Sequence, residues 1–165
     1  MDRGAPLTIG AFEPTDADAL ATLFEEMQAH YGAPCPPRAA ILADLGDLPP
    51  GVRLIVAGRR DRIVGFASLS PLYPGPGLQK GLFLKELYVS AAERGGGVGR
   101  ALMGACAAAA VAGSYGRIDF TAAVGDARLM GFYRGLGAVD DPKRAFLRLT
   151  GDALSTLAVR PRLSS

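Results

Sequence analysis

The sequence has one histidine, two cysteines and no tryptophan. A zinc site needs several His or Cys ligands at short spacing, and a single His with no C-x-x-C supplies none. Cys35 lies in a proline-rich stretch and Cys106 in an alanine-rich one, a lone and distant pair that excludes a disulfide scaffold. No apolar run reaches the roughly 20 residues of a membrane span. The nearest, 101–112, is shorter and mostly alanine. The first 30 residues hold acids and proline but no apolar signal-peptide core. An excess of one charge is missing too: 18 Lys and Arg stand against 16 Asp and Glu, for a net +2, with no basic stripe interleaved with aromatics. A cytoplasmic protein is expected, with no metal, no membrane association and no nucleic-acid partner. Apolar residues make up 49% of the chain, enough for a globular core. At 165 residues the chain suits one domain.

Glycine is what the chain has in quantity, 22 in all, and four of them gather at one junction. Residues 82–89, LFLKELYV, are apolar and aromatic with a β-branched end, broken only by Lys85 and Glu86. That pattern predicts a largely buried strand. A polar turn at 90–94 leads into Gly95, Gly96, Gly97 and Gly99, and then into a helix-forming run from Arg100. Glycines between a strand and a helix let the backbone approach a ligand closely. The N–H groups of the first helical turn are unpaired there, beside the positive end of the helix dipole. The junction therefore predicts a phosphate or pyrophosphate site. The dinucleotide fingerprint G-x-G-x-x-G fails, because counting from Gly95 or Gly97 ends on Arg100 or Leu102. The P-loop pattern fails for want of a Gly-Lys pair.

What does fit is Arg94-x-x-Gly97-x-Gly99. After such a strand it resembles the coenzyme A-binding motif Q/R-x-x-G-x-G/A of the GNAT acetyltransferases. Further on, DARLMGFYRGLGAV at 126–139 resembles that family's second landmark, N-x-x-A-x-x-x-Y-x-x-x-G-F. Asp126 stands where Asn is usual, Leu129 where Ala is usual, and Ala138 where an aromatic often follows the glycine; Phe132-Tyr133 and Leu136-Gly137 match. The resemblance implies the GNAT fold, an α/β (α+β) domain. Its central sheet is mixed, mostly antiparallel and splayed, with six to seven strands flanked by about four helices. The domain would occupy 1–159, ahead of a disordered tail at 160–165. FLKELYV, RGGGVG and FYRGLGAVDDPKRAFLRLTGDALSTLA are most similar to the diamine (spermidine/spermine-type and thialysine) branch, which reads L-E-D-L/F-Y/F-V in its strand. Here Lys85 replaces the first acid and Glu86 is the second. A cation in place of an acid disfavours a polycationic acceptor, so polyamine specificity does not carry over.

Taken in order, 7–12 predicts a first strand, bracketed by Pro6 and Pro14 as edge strands often are. Thr15 with Asp18 reads as a capping-box variant. It opens a helix whose buried face is Leu20, Leu23, Phe24, Met27 and Tyr31. Glu25 and Glu26 read as its solvated flank. His30, in the last turn, reads as a dipole partner before a catalyst. GAPCPP at 32–37 is a stiff loop, 38–48 a second helix, and 52–57 and 63–70 two strands around a GRRDR turn. Residues 71–81 are too rich in Pro and Gly for an element. The glycine-led helix runs to about Gly113, with a strand at 117–124, a helix at 126–135, a last strand at 144–150 and a short helix at 153–158.

The resemblance implies acetyl transfer from acetyl-coenzyme A to a small primary amine, by direct attack in a ternary complex. Acetylation of a protein or peptide amine, or a catalytically inactive acyl-coenzyme A sensor, are alternatives. Arg94, Gly95, Gly96, Gly97, Val98, Gly99 and Arg100 would hold the pyrophosphate. Main-chain groups of Leu87, Tyr88 and Val89 would pair with the pantetheine arm and stabilise the oxyanion, a term typically worth ~3 kcal/mol. Asp126 and Tyr133 come from the second motif, with Tyr133 as general acid or as a packing ring beside Phe132. Glu86 is a base, an anchor for the substrate ammonium, or one end of a water relay, since an idle carboxylate in an apolar strand is costly. Strand alternation puts it on the face opposite Lys85 unless a bulge intervenes. Tyr31 is a substrate contact or core. No activated Ser or Cys nucleophile is apparent. A homodimer is expected from the branch resemblance, because Phe146, Leu147 and Leu149 would otherwise leave apolar surface or an open strand edge.

Overall fold

The computed structural model describes residues 5–158, so the tail expected at 160–165 lies outside the described residues. The chain divides after Thr121 into two compact units.

In the first unit five strands form one sheet in the order β1 (Thr8–Ala11), β2 (Arg53–Arg59), β3 (Arg62–Leu72), β4 (Gly81–Val89) and β5 (Ile118–Phe120). The first three pairings are antiparallel, and β4 and β5 are parallel. Each sheet face has its own core. On one face Leu54, Val56, Phe66 and Tyr88 pack with Leu20, Leu23 and Met27 of α1 (Ala17–Tyr31) and Ile41 and Leu45 of α2 (Arg38–Gly46). On the other, Ile55, Ala57, Leu69, Leu82 and Leu84 meet Val98, Leu102, Cys106 and Ala110 of α3 (Val98–Ala112), every fourth residue of that helix. The small residues of α3 let it sit close on the sheet. A Cβ on Gly65 of β3 would come within 3.1 Å of the Val98 and Leu102 side chains. Gly32, at φ 62°, ends α1 in the left-handed turn that glycine adopts freely.

Burial pushes the Cys106 thiol up to about 11, whereas Cys35 is exposed. A thiol-alkylating reagent at neutral pH is expected to label Cys35 in the native protein and Cys106 only after unfolding. Rapid labelling of Cys106 in the native protein would contradict this packing.

The second unit holds α4 (Ala127–Arg134) and α5 (Gly151–Ala158). The last strand expected at 144–150 is not formed, and the sheet has five strands where six to seven were expected. A strand needs an edge to pair with, and the described residues of the second unit form two helices and irregular segments. The strand expected at 117–124 shortens to Ile118–Phe120 because its pairing with β4 ends at Leu84. Among the described residues there are five α-helices where about four were expected. The start of the first helix also differs. The capping box forms two residues earlier than the expected Thr15–Asp18 pair, at Glu13 and Asp16, where Asp16 Oδ2 accepts the Glu13 N–H at 3.0 Å, while Asp18 pairs with Arg38 at 2.9 Å.

Candidate active site

The β3–β4 register shifts at one point. Ser68 faces Glu86 and Leu69 faces Leu84, which leaves Lys85 as an extra residue in β4. The parallel pairing with β5 stops at the same place, after Leu84 and Phe120. Beyond the bulge, Leu87, Tyr88 and Val89 pair with Ala67, Phe66 and Gly65 along one edge, while β5 no longer lines the other. Backbone groups on that second edge can bond an extended ligand as an added strand would.

At the end of β4 a short 3₁₀ turn (Ala91–Glu93) leads into the glycines. The Gly96 N–H donates to the Glu93 carbonyl at 3.2 Å, so Gly96 shapes the loop rather than offering a donor. Gly95 and Gly97 have φ of 79° and 83°. The first intrahelical bond runs from the Ala101 N–H to the Gly97 carbonyl at 3.0 Å. The Val98, Gly99 and Arg100 N–H groups therefore precede any helical partner. The Val98 side chain is buried and only its backbone serves the loop. No atom lies within 4 Å of where a Cβ on Gly97 would sit, so the space over these donors is open. Unpaired N–H groups, a helix N-terminus and free space above them fit the pyrophosphate of coenzyme A.

Two carboxylates of the first unit meet the same strand. Glu86 Oε1 accepts the Tyr31 hydroxyl at 2.9 Å, joining two residues singled out separately in the sequence. Glu26, read from sequence as a solvated flank, is half-buried against β4. Its carboxylate accepts the Tyr88 hydroxyl at 3.2 Å, the Ser90 hydroxyl at 3.0 Å and the Ala91 N–H at 2.9 Å. Burial pulls its pKa upward, but the Ala91, Ser90 and Tyr88 bonds and the Arg94 charge outweigh that and hold it below the ordinary value. Burial, followed by the Glu26 charge, pushes the Tyr88 phenol up. The signal for Glu26 was its place between Leu23 and His30, on the flank of the sheet-facing stripe. Arg94 turns back on the strand: its Nε donates to the Val89 carbonyl at 3.0 Å and its guanidinium lies 5.3 Å from the Tyr88 ring centre. His30 stacks loosely near both rings, 5.2 Å from Tyr31 and 5.8 Å from Tyr88. A second pair missed from sequence is Arg59 with Glu93, 3.1 Å apart and mostly buried, which ties the base of the glycine loop to β2.

The sequence profile of the acetyltransferase (GNAT) family matches residues 18–138, from α1 through both motifs. The chain belongs to the GNAT acetyltransferase family. It is 28% identical over 95 residues to the L-ornithine N5-acetyltransferase NATA1 of Arabidopsis thaliana, an alignment covering 58% of this chain and 42% of that protein. The chain thus spans about two fifths of the length of the curated relative it matches. Among solved structures, an integron cassette protein of V. cholerae superposes with a TM-score of 0.83 at 27% identity, covering 92% of this chain and 97% of that one. An aminoglycoside acetyltransferase, meta-AAC0020, from an uncultured soil sample superposes at 0.72 with 17% identity, covering 87% and 97%, and shows the shared fold.

The GNAT fold expected from the two motifs is the fold observed, with a mixed, mostly antiparallel sheet that splays after Leu84. Of the residues expected to act, Tyr31, Glu86, the 87–89 backbone and the 94–100 loop share the first unit. Asp126 and Tyr133 belong to the second. Asp126 caps α4, its Oδ1 accepting the Leu129 N–H at 2.9 Å, so it starts the helix that carries Tyr133. Tyr133 is buried, 5.1 Å from the Phe132 ring. Among the described residues no group of His, Cys, Asp and Glu could hold a metal ion, and no helix is long and apolar enough to cross a membrane.

Proposed function

We propose that this GNAT protein is an N-acetyltransferase that moves the acetyl group of acetyl-coenzyme A to a small primary amine by direct attack in a ternary complex. Residues 1–159 would act as one catalytic domain. The observation that carries this reading is the bulge at Lys85. It coincides with the end of β5 pairing, and it puts an open strand edge between the glycine loop and the Glu86 carboxylate.

Acetyl-coenzyme A supplies an activated acetyl group as a thioester. The Gly97–Arg100 main chain binds its pyrophosphate, and the free edge of 87–89 aligns the pantetheine arm. Glu86, directly or through a water, takes the proton of the ammonium so that the nitrogen lone pair can attack the carbonyl carbon. A main-chain N–H in 87–89 stabilises the oxyanion. As the carbon–sulfur bond breaks, the Tyr133 phenol donates its proton to the leaving thiolate; the nitrogen gives up its second proton to solvent, from which the phenolate is reprotonated. An acyl-enzyme has little support. Cys106 is buried with a raised pKa, and Cys35 is exposed in the proline-rich loop after α1. Thiol release from acetyl-coenzyme A across a panel of amines and peptides, with calorimetry of coenzyme binding alongside, tests the reading. Release confined to small amines is expected. Release only with peptides would redirect the acceptor class, and binding without release would make the protein a sensor.

The protein is further proposed to be a homodimer, formed through its C-terminal segment. Phe146, Leu147 and Leu149 are 61%, 86% and 58% exposed in the single chain, apolar surface that a partner would cover. Light scattering at micromolar concentration is expected to give about twice the 17.1 kDa of one chain. A mass of 17.1 kDa would overturn the dimer.

A further inference from the structure

We infer that Lys85 is a specificity-determining residue that reads a carboxylate on the acceptor, so that the preferred substrate is an amine carrying its own carboxylate. This rests on the proposed acetyl transfer at the same site. Before the bulge Leu82 and Leu84 point into the core under α3, and after it Leu87 and Val89 do. Glu86 and Tyr88 point to the α1 side, where they bond Tyr31 and Glu26. Lys85 follows Leu84, so alternation turns it to the α1 side as well. An unbroken strand would have put Lys85 and Glu86 on opposite faces. The bulge therefore gives one face a cation and an anion at adjacent positions, the anion bonded to Tyr31.

Glu86 has a neutral partner in the Tyr31 hydroxyl. Lys85 is exposed, with no ion pair or hydrogen bond among the described residues. The two heads therefore offer separate receptors, a carboxylate for an ammonium and an ammonium for a carboxylate. A diamine would bring a second positive charge to Lys85, and like charges set against each other are disfavoured. An amino acid with a terminal amine presents both complementary charges at once. The bland alternative is a lysine that merely solvates the strand, which predicts no discrimination.

The test compares two acceptors that differ only by a carboxylate, L-ornithine and 1,4-diaminobutane, with wild type, Lys85→Met, Lys85→Glu and Lys85→Arg. Two readouts are taken: kcat/KM for thiol release, and calorimetric binding of each amine to protein saturated with coenzyme A. Wild type is expected to favour ornithine by about tenfold or more. Lys85→Arg should keep that preference, Lys85→Met should remove it, and Lys85→Glu should reverse it. A wild type that treats the two amines alike, or a ratio unmoved by Lys85→Met, would overturn the inference. Absence of thiol release with any amine, while ornithine still binds in preference and Lys85→Met abolishes that preference, would refute the transfer reading and leave the specificity role standing. Preference absent from both readouts refutes the role itself.

Discussion

Gly97→Val is expected to abolish coenzyme A binding while leaving a folded protein. The reason is local and twofold. Gly97 holds φ at 83°, the left-handed region, where a β-branched residue is strained by about 1–3 kcal/mol. It also caps α3, immediately before the Val98, Gly99 and Arg100 N–H groups. The valine either relaxes into an ordinary conformation, which re-aims those donors, or keeps the loop and fills the space above them. That space holds no protein atom within 4 Å, so the new side chain meets the ligand rather than the fold. Loss of at least about a hundredfold in affinity by calorimetry, with an unchanged circular dichroism spectrum, is the expected result. Undiminished affinity would remove the loop from the binding site.

Tyr133→Phe carries the second large effect. Tyr133 is buried beside Phe132, and phenylalanine preserves the ring and its packing while deleting only the proton donor. If that proton goes to the leaving sulfur, kcat should fall by roughly 10²–10⁴ with coenzyme affinity almost intact. A phenol of pKa ~10 is a serviceable acid for a thiolate of ~8.5, and no other group in the mechanism supplies that proton. The useful control is the split between parameters. A packing role would leave kcat alone, because phenylalanine keeps the ring, whereas an acid role lowers kcat and leaves the coenzyme KM alone. A wild-type kcat in the phenylalanine variant would reduce Tyr133 to a packing ring.

The parts of the site legible in sequence were those written in local pattern. An apolar run followed by clustered glycines and a helix former dictates a strand, a phosphate-binding turn and a helix, and β4, the loop and α3 follow that order. Tyr31 and Glu86 were each legible as unusual residues in their own elements. That they bond one another was not, because 55 residues of chain separate them. A bulge in this strand was allowed for, but its position was not legible. Alternation across LKEL predicts opposite faces for Lys85 and Glu86, and only the changing partners of β4 shift the register there. Glu26 was misread because exposure is the usual state of a helical glutamate. Its three donors come from β4 and the turn beyond it, far along the chain. The strand expected at 144–150 failed for a related reason: its apolar residues make a good strand pattern, but a strand also requires an edge, which pattern alone does not supply.

The most direct test of the central claim is a single reaction of acetyl-coenzyme A with a small primary amine, in which free thiol, N-acetylated amine and the mass of the protein are all measured. Direct transfer predicts thiol and acetylated amine in equal amounts, no thiol release above the spontaneous rate without the amine, and an unmodified protein throughout. Thiol released with the acetyl group left on the protein, or coenzyme bound with no thiol released for any amine, would contradict it.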